Sequence, residues 1–433
     1  MKPFLTYDDA NMWSARVGSA GASVSELHAI EKDLKRSQQS IEKFRKSKSQ
    51  GFFDVPFDNK IVSLITKQVA RLKKQGVQHL VVIGIGGSDL GARTIWQALG
   101  DPKKGMWVTF VSNPDPEAVH GYTGAGTWWN HTALCVISKS GTTLETLSIF
   151  LTLRKGLIET VGEKKHKERV VVITEVGENP LHQLALENSY AILPHPENIG
   201  GRFSVLSVVG LFPAACGGVD IKKLLAGAKW VEQSRRTQGT KHAAIKFAAL
   251  HYLALTQHNQ PNHVLMPYAE WLGAFGMWFR QLWAESLGKD RQGPTPIAGL
   301  GPTDQHSQLQ LYVDGPKDKV VTFLSVDTFR RHVNVPKFSD LPKSLSYLSG
   351  LDMESIMQAE KQGTEHALTK AGRPNGTLCM PSLTPEALGA LFQFFMIATA
   401  TLGELLGVDP YNQPGVEEGK RETKRLLTTL FHP

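Results

Sequence analysis

The sequence predicts an α/β protein of two domains, each a parallel sheet sandwiched by helices, with helical segments at both ends. Three observations carry this. Short apolar runs at 80–83, 107–111, 133–137, 170–173 and 191–193 alternate with helix-length segments, and strands buried on both faces read as such continuous runs. The pattern starts again after residue 225, with runs at 263–268 and 320–326. Finally, the chain has 433 residues, more than the roughly 250–300 over which a single core keeps growing.

Taken in order, residues 1–50 form the N-terminal helical segment, with a charged helix over 23–50 in which Lys and Arg are interleaved with Glu31, Asp33 and Glu42. Residues 51–220 form the first domain and 221–383 the second. In the second, Trp271, Phe275, Trp278 and Leu282 recur every three or four residues, the spacing of one buried helical stripe. Residues 384–433 form the C-terminal helical segment. Its apolar stretch 387–406 is interrupted by Gln393, Thr399, Thr401 and Glu404, which marks a buried core helix rather than a span needing about 20 apolar residues.

Composition narrows the class further. With 41% hydrophobic and 20% charged residues the chain is globular, and the net charge of +8 fits a solvated helix face better than nucleic-acid binding. That excess also attracts anionic metabolites. Three cysteines, Cys135, Cys216 and Cys379, are far apart and form no Cys-x-x-Cys pair, as expected of a reduced cytoplasmic protein. The first nine residues lack the apolar core of a signal peptide, so export is not expected.

The chemistry concentrates in loops that follow strands. Ser138-Lys139-Ser140-Gly141-Thr142-Thr143 joins the run at 133–137 to a helical pattern beginning at Leu144. Such a loop sets hydroxyls and free N–H groups at the positive end of a helix, where a phosphate would sit. Hydroxyls there also serve as helix caps. A second loop, Gly84-Ile85-Gly86-Gly87-Ser88-Asp89, follows the run at 80–83. It is not a dinucleotide fingerprint, because the sixth position after Gly84 is Asp89, although Asp115 stands where a ribose-binding acid could lie. Gly415 and Gly419-Lys420 do not make a P-loop either, since Arg421 replaces the required Ser or Thr. The third element, Asn198-Ile199-Gly200-Gly201-Arg202-Phe203-Ser204, turns the main chain beside an arginine.

Together with Gln281-Leu282-Trp283-Ala284-Glu285-Ser286-Leu287-Gly288-Lys289, Asp304-Gln305-His306-Ser307-Gln308 and Gly415-Val416-Glu417-Glu418-Gly419-Lys420, these loops closely resemble the glucose-6-phosphate isomerase family in its compact bacterial form. The motifs run in family order over residues 81–420, with Glu418 standing where a Leu is often found. The resemblance implies two sugar-isomerase (SIS) type domains and a reaction of glycolysis and gluconeogenesis that interconverts D-glucose 6-phosphate and D-fructose 6-phosphate. It also implies no cofactor and no metal.

It implies roles as well. Glu285 is the base between C2 and C1, His306 and Lys420 open the ring, and Arg202 stabilises the enediolate. Ser138, Lys139, Ser140, Gly141, Thr142 and Thr143 hold phosphate, while Gly87, Ser88, Gly201 and Gln281 contact substrate. His306 is supplied across a homodimer with shared active sites; neither nucleic acid nor membrane is a partner. Gln281 fits the glucose-specific pattern, with mannose 6-phosphate left open as a side substrate. The alternative is a non-catalytic sugar-phosphate-binding regulator on the same fold, which would have no use for Glu285, His306 and Lys420 together.

Overall fold

The computed structural model describes residues 3–124 and 126–431; Met1 and Lys2 of the expected N-terminal segment and His432 and Pro433 of the C-terminal one lie outside them. The strands in chain order are β1 (Thr6–Asp8), β2 (His79–Ile83), β3 (Trp107–Val111), β4 (Thr132–Ile137), β5 (Val170–Thr174), β6 (Ala191–Pro194), β7 (Asn262–Pro267), β8 (Thr295–Ala298), β9 (Lys319–Thr328) and β10 (Asn375–Ser382). They form two five-stranded sheets, ordered β3-β2-β4-β5-β6 and β1-β10-β9-β7-β8. Every pairing is parallel except that of β1 with β10. The expected mixed α/β architecture with two parallel-dominated sheets is therefore present.

The apolar runs are strands for the reason that marked them. Every residue of β4 and β5 is buried, which only a sheet covered on both faces allows. Four strands of each sheet share one topology, β3-β2-β4-β5 in the first and β8-β7-β9-β10 in the second. In the first, the chain moves from β2 out to β3 and then back past β2 to β4; in the second it moves from β7 to β8 and back past β7 to β9. Such a reversal opens a crevice beyond the carboxyl ends of the two central strands. One crevice lies above β2 and β4, the other above β7 and β9.

The N-terminal segment is helical over Val24–Ala29 and Glu31–Lys46, the first opened by a capping box between Ser23 and Glu26. It also supplies β1, which closes the far edge of the second sheet. Helix Pro385–Leu406 is long and apolar enough to cross a membrane, but it is almost wholly buried among the other helices. Thr384 caps its start and Gly407, at φ +72°, ends it. It is the core helix that its interrupted apolar pattern predicts.

The tryptophan stripe differs from expectation at its first member. Phe275, Trp278 and Leu282 are buried along helix Gly273–Leu287, but Trp271 is 60% exposed. It falls in a separate 3-10 turn, Glu270–Leu272, so helical spacing does not extend back to it. Cys135 and Cys216 are buried and Cys379 is partly so, all as free thiols.

Candidate active site

The first crevice gathers loops from three parts of the chain. After β2 the backbone makes a 3-10 turn, Gly86–Ser88, before helix Leu90–Leu99. A Cβ on Gly87 would come within 2.2 Å of the Gly201 carbonyl, so the two motifs touch through bare main chain. A side chain at Gly87 would separate them, whereas a Cβ on Gly201 would come no closer than 4.0 Å to Gly87. A Cβ on Gly86, which has φ +61°, would lie 2.7 Å from Gln281 Nε2. This contact brings helix Gly273–Leu287 into the same site.

After β4, Ser138 is buried and its Oγ lies 2.8 Å from Thr143 Oγ1, while Ser140 Oγ lies 2.9 Å from Thr142 Oγ1. Gly141 takes φ +66° to make the turn. Thr143 occupies the cap position of helix Leu144–His166, yet no side chain caps that helix. The hydroxyls bond one another, and capping does not account for them. The loop leaves a helix start open to an anion. Lys139 is oriented differently from a residue reaching into the seat. Its ammonium donates to the carbonyls of Glu197 and Ile199 at 2.8 and 3.1 Å and pairs with Glu175 at 3.3 Å. It fastens the hydroxyl loop to the segment leading into Gly200 and Gly201.

Arg202 is 2% exposed and its guanidinium is engaged on every side. Nε donates to Ser286 Oγ at 2.7 Å, Nη1 to Gln413 Oε1 at 2.6 Å, and Nη2 to the carbonyls of Pro410 and Asn412 at 2.6 and 2.8 Å. Nη1 also faces Glu285 Oε2 at 3.5 Å. Burial pushes this guanidinium below its usual range, against the opposing pull of Glu285 and Asp409. The other oxygen of Glu285 accepts from Gln281 Nε2 at 3.1 Å. Glu285 thus lies on the polar side of its helix, one-third exposed, with the buried aromatic face turned away. Gln281 Oε1 is buried without a partner among the described residues.

His306 and Lys420 are not in this cluster. His306 ends the 3-10 turn Thr303–His306 with its side chain exposed. That turn is fixed by Asp304, which accepts from Leu300 N at 2.7 Å and Ser307 Oγ at 2.6 Å. Lys420 lies at the start of the exposed helix Glu417–Phe431 and pairs with Glu417 at 2.7 Å. Glu418, the local departure in this motif, pairs with Arg421 on the same exposed helix. Asp115, which a dinucleotide site would need, caps helix Pro116–His120 by accepting from Glu117 N at 2.9 Å.

Two residues beside Arg202 and Glu285 receive no role from the sequence pattern. Gln413 sits in an irregular loop with no periodicity to flag it. Lys289 donates to the carbonyls of Glu285 and Ser286 at 2.9 and 2.8 Å, closing the end of the helix. Burial, and then the Arg202 charge, lower it to about 8. A basic residue four positions after Glu285 is the one signal that points to it.

A family model described as phosphoglucose isomerase matches residues 63–432. The chain belongs to that family. Among relatives of the phosphoglucose isomerase family, the glucose-6-phosphate isomerase of Rubrobacter xylanophilus is 38% identical over 430 residues, covering 97% of both chains. That of Thermus thermophilus is 35% identical, over 87% of this chain and 90% of the other. In three dimensions, a hypothetical protein of Thermus thermophilus matches with TM-score 0.88 at 32% identity, covering 98% of this chain and 99% of the other. A glucose-6-phosphate isomerase from Chlamydia trachomatis matches with TM-score 0.80 at 21% identity, over 100% and 90% of the two chains, and shares the fold.

Proposed function

We propose that the chain catalyses the reversible isomerisation of D-glucose 6-phosphate and D-fructose 6-phosphate through ring opening and a cis-enediolate. The observation that supports this best is the setting of Glu285. Its two oxygens are held by Gln281 Nε2 at 3.1 Å and faced by Arg202 Nη1 at 3.5 Å, beside glycine turns that expose bare backbone. A carboxylate fixed next to a buried positive charge suits proton abstraction with charge developing nearby.

In this reading phosphate is held by the hydroxyls of Ser138, Ser140, Thr142 and Thr143 and by the start of helix Leu144–His166. Lys139 adds positive charge from behind the loop. Glu285 takes the C2 proton of the open-chain aldose, the C2 electron pair forms the C1–C2 double bond, and negative charge passes to O1. A proton then passes from O2 to O1, and as the same carboxyl returns its proton to C1 the O2 electrons close the C2 carbonyl of the ketose. Arg202, with its N–H groups committed to protein acceptors, acts through its fixed charge. The unpartnered Gln281 Oε1 is an acceptor for a sugar hydroxyl, with Gly87, Ser88 and Gly201 lining the sugar's path.

Ring opening falls to His306 and Lys420. The exposed position of His306 supports its delivery to the site of a second copy, in a homodimer with shared active sites. The reaction exchanges oxidation state within one molecule, so this reading requires neither cofactor nor metal. A regulator that only bound sugar phosphate would need the hydroxyl loop but not the Gln281, Glu285 and Arg202 cluster. Free thiols at Cys135, Cys216 and Cys379 suit the reducing cytoplasm. The domain limits 51–220 and 221–383 accommodate β2 to β6 and β7 to β10 respectively.

Purified chain is expected to convert glucose 6-phosphate to fructose 6-phosphate with exchange of the C2 proton in deuterated solvent. Well-folded protein that forms no ketose would rule the function out. Shared sites have their own test: inactive His306→Ala and Glu285→Ala chains, mixed under conditions of subunit exchange, are expected to recover activity at hybrid sites. Verified exchange without recovery would place His306 in its own chain's site or outside the chemistry.

A further inference from the structure

The second sheet has the same reversal as the first, so its crevice above β7 and β9 is the counterpart of the one holding the hydroxyl loop. A cleft of about 1160 Å³ opens there, large enough for a ligand of nucleotide size. Its residues come from the equivalent loops: Ala269 and Trp271 after β7, Phe329, Arg330 and Arg331 after β9, and Leu383 and Thr384 after β10. The first domain closes the opposite wall with Trp96, Lys103 and Trp107. The loops correspond, but their chemistry has changed. Where the first crevice presents hydroxyls and glycines, this one presents indoles and guanidinium groups.

Trp107 and Trp271 are 57% and 60% exposed, unusual for the largest apolar side chains unless something covers them. Trp96 packs edge-on to Trp107, ring centroids 5.9 Å apart. A Cβ on Gly100 or Gly217 would overlap its ring. The carboxylates lining the cleft are already engaged. Asp101 accepts from Lys103 N at 3.0 Å and pairs with Lys104 at 3.4 Å, and Asp220 caps helix Ile221–Gln238. Lys103, Arg330 and Arg331 form no ion pair among the described residues, and Arg330 Nη2 donates to Ala98 O at 2.7 Å across the cleft. Burial, and then the like charge of Arg331, push the Arg330 guanidinium below its usual range; an anion between the two guanidinium groups would offset the second cause.

We infer that this cleft is a second ligand site, for a nucleoside phosphate whose base stacks on Trp271 and Trp107 and whose phosphates meet Arg330, Arg331 and Lys103. Stacking on indoles accepts any base, and guanidinium forks match phosphate oxygens. The site lies about 20 Å from Glu285, at the other end of helix Gly273–Leu287 and of the 3-10 turn before it. It is independent of the isomerase reading.

The test is calorimetric titration of the purified full chain with ADP, in the presence of saturating glucose 6-phosphate. One ADP per chain is expected, with binding weakened about tenfold or more by Trp271→Ala and by Arg331→Ala. Ser138→Ala should leave it unchanged, and inorganic pyrophosphate should bind at least about tenfold more weakly than ADP. Absence of binding at millimolar ADP would overturn the proposal, as would binding indifferent to both cleft substitutions. Equal affinity for pyrophosphate would reduce the site to an anion patch and refute the stacking role. If ADP does not bind and Trp271→Ala dissociates copies of the chain in sedimentation, the cleft is an interface and the proposal fails.

Discussion

Glu285→Gln is expected to lower kcat for glucose 6-phosphate isomerisation by about 10²-fold or more. The substitution keeps the volume and one acceptor oxygen, so Gln281 Nε2 retains a partner, but it removes the only group in the cluster positioned to take a carbon-bound proton. The amide also meets the Arg202 guanidinium, 3.5 Å from Oε2 in the native chain, with a dipole where a charge stood. KM should change much less, because the proposed mechanism assigns the phosphate to the hydroxyls of Ser138 and Thr143 and gives residue 285 no part in holding it. Exchange of the C2 proton with deuterated solvent should fall in parallel with turnover. Native exchange in well-folded Glu285→Gln would mean that another base works at C2.

The fold is legible where burial on both faces makes strands into continuous apolar runs. β2, β4 and β5 are of this kind, with only His79 at the start of β2 less than fully buried. The strands that the sequence does not announce lack that signature. β8 is four residues with Pro296 in it and no fully buried position. β10 contains Gly376 and Pro381, and β1 is three residues at a sheet edge. Such strands depend on their neighbours rather than on their own pattern. Trp271 departs from its expected stripe because spacing alone cannot detect that the helix begins at Gly273, after a turn of different pitch.

The site is legible wherever a strand, a glycine-rich loop and a helix follow one another, because that order alone places free N–H groups at a strand's carboxyl end. Local order does not set side-chain direction. Lys139 shares its loop with four hydroxyls, yet its ammonium turns back to the carbonyls of Glu197 and Ile199. Gln413 joins Arg202 across 211 residues of chain, a contact no local pattern encodes. His306 and Lys420 are recognisable only through the family resemblance, and both are exposed in the single chain.

Arg202→Ala should be the more damaging change, because the proposed mechanism gives the reaction the same guanidinium that ties helix to loop. Loss of a preorganised charge beside the developing enediolate is expected to reduce kcat/KM by about 10²- to 10³-fold. Separately, Ser286 Oγ, Gln413 Oε1 and the carbonyls of Pro410 and Asn412 each lose a donor at 2.6–2.8 Å. Stranding these partly buried acceptors should cost about 3–5 kcal/mol of stability, measured by denaturant unfolding. Arg202→Lys separates the two effects. It keeps a positive charge near Glu285 but cannot span acceptors on the Gly273–Leu287 helix and the 410–413 loop at once. It should therefore lose much of the stability while retaining more of the rate than Arg202→Ala. Equal kcat values for the two variants at matched folded fraction would refute the charge role, because that outcome would leave Arg202 as a strut between helix and loop.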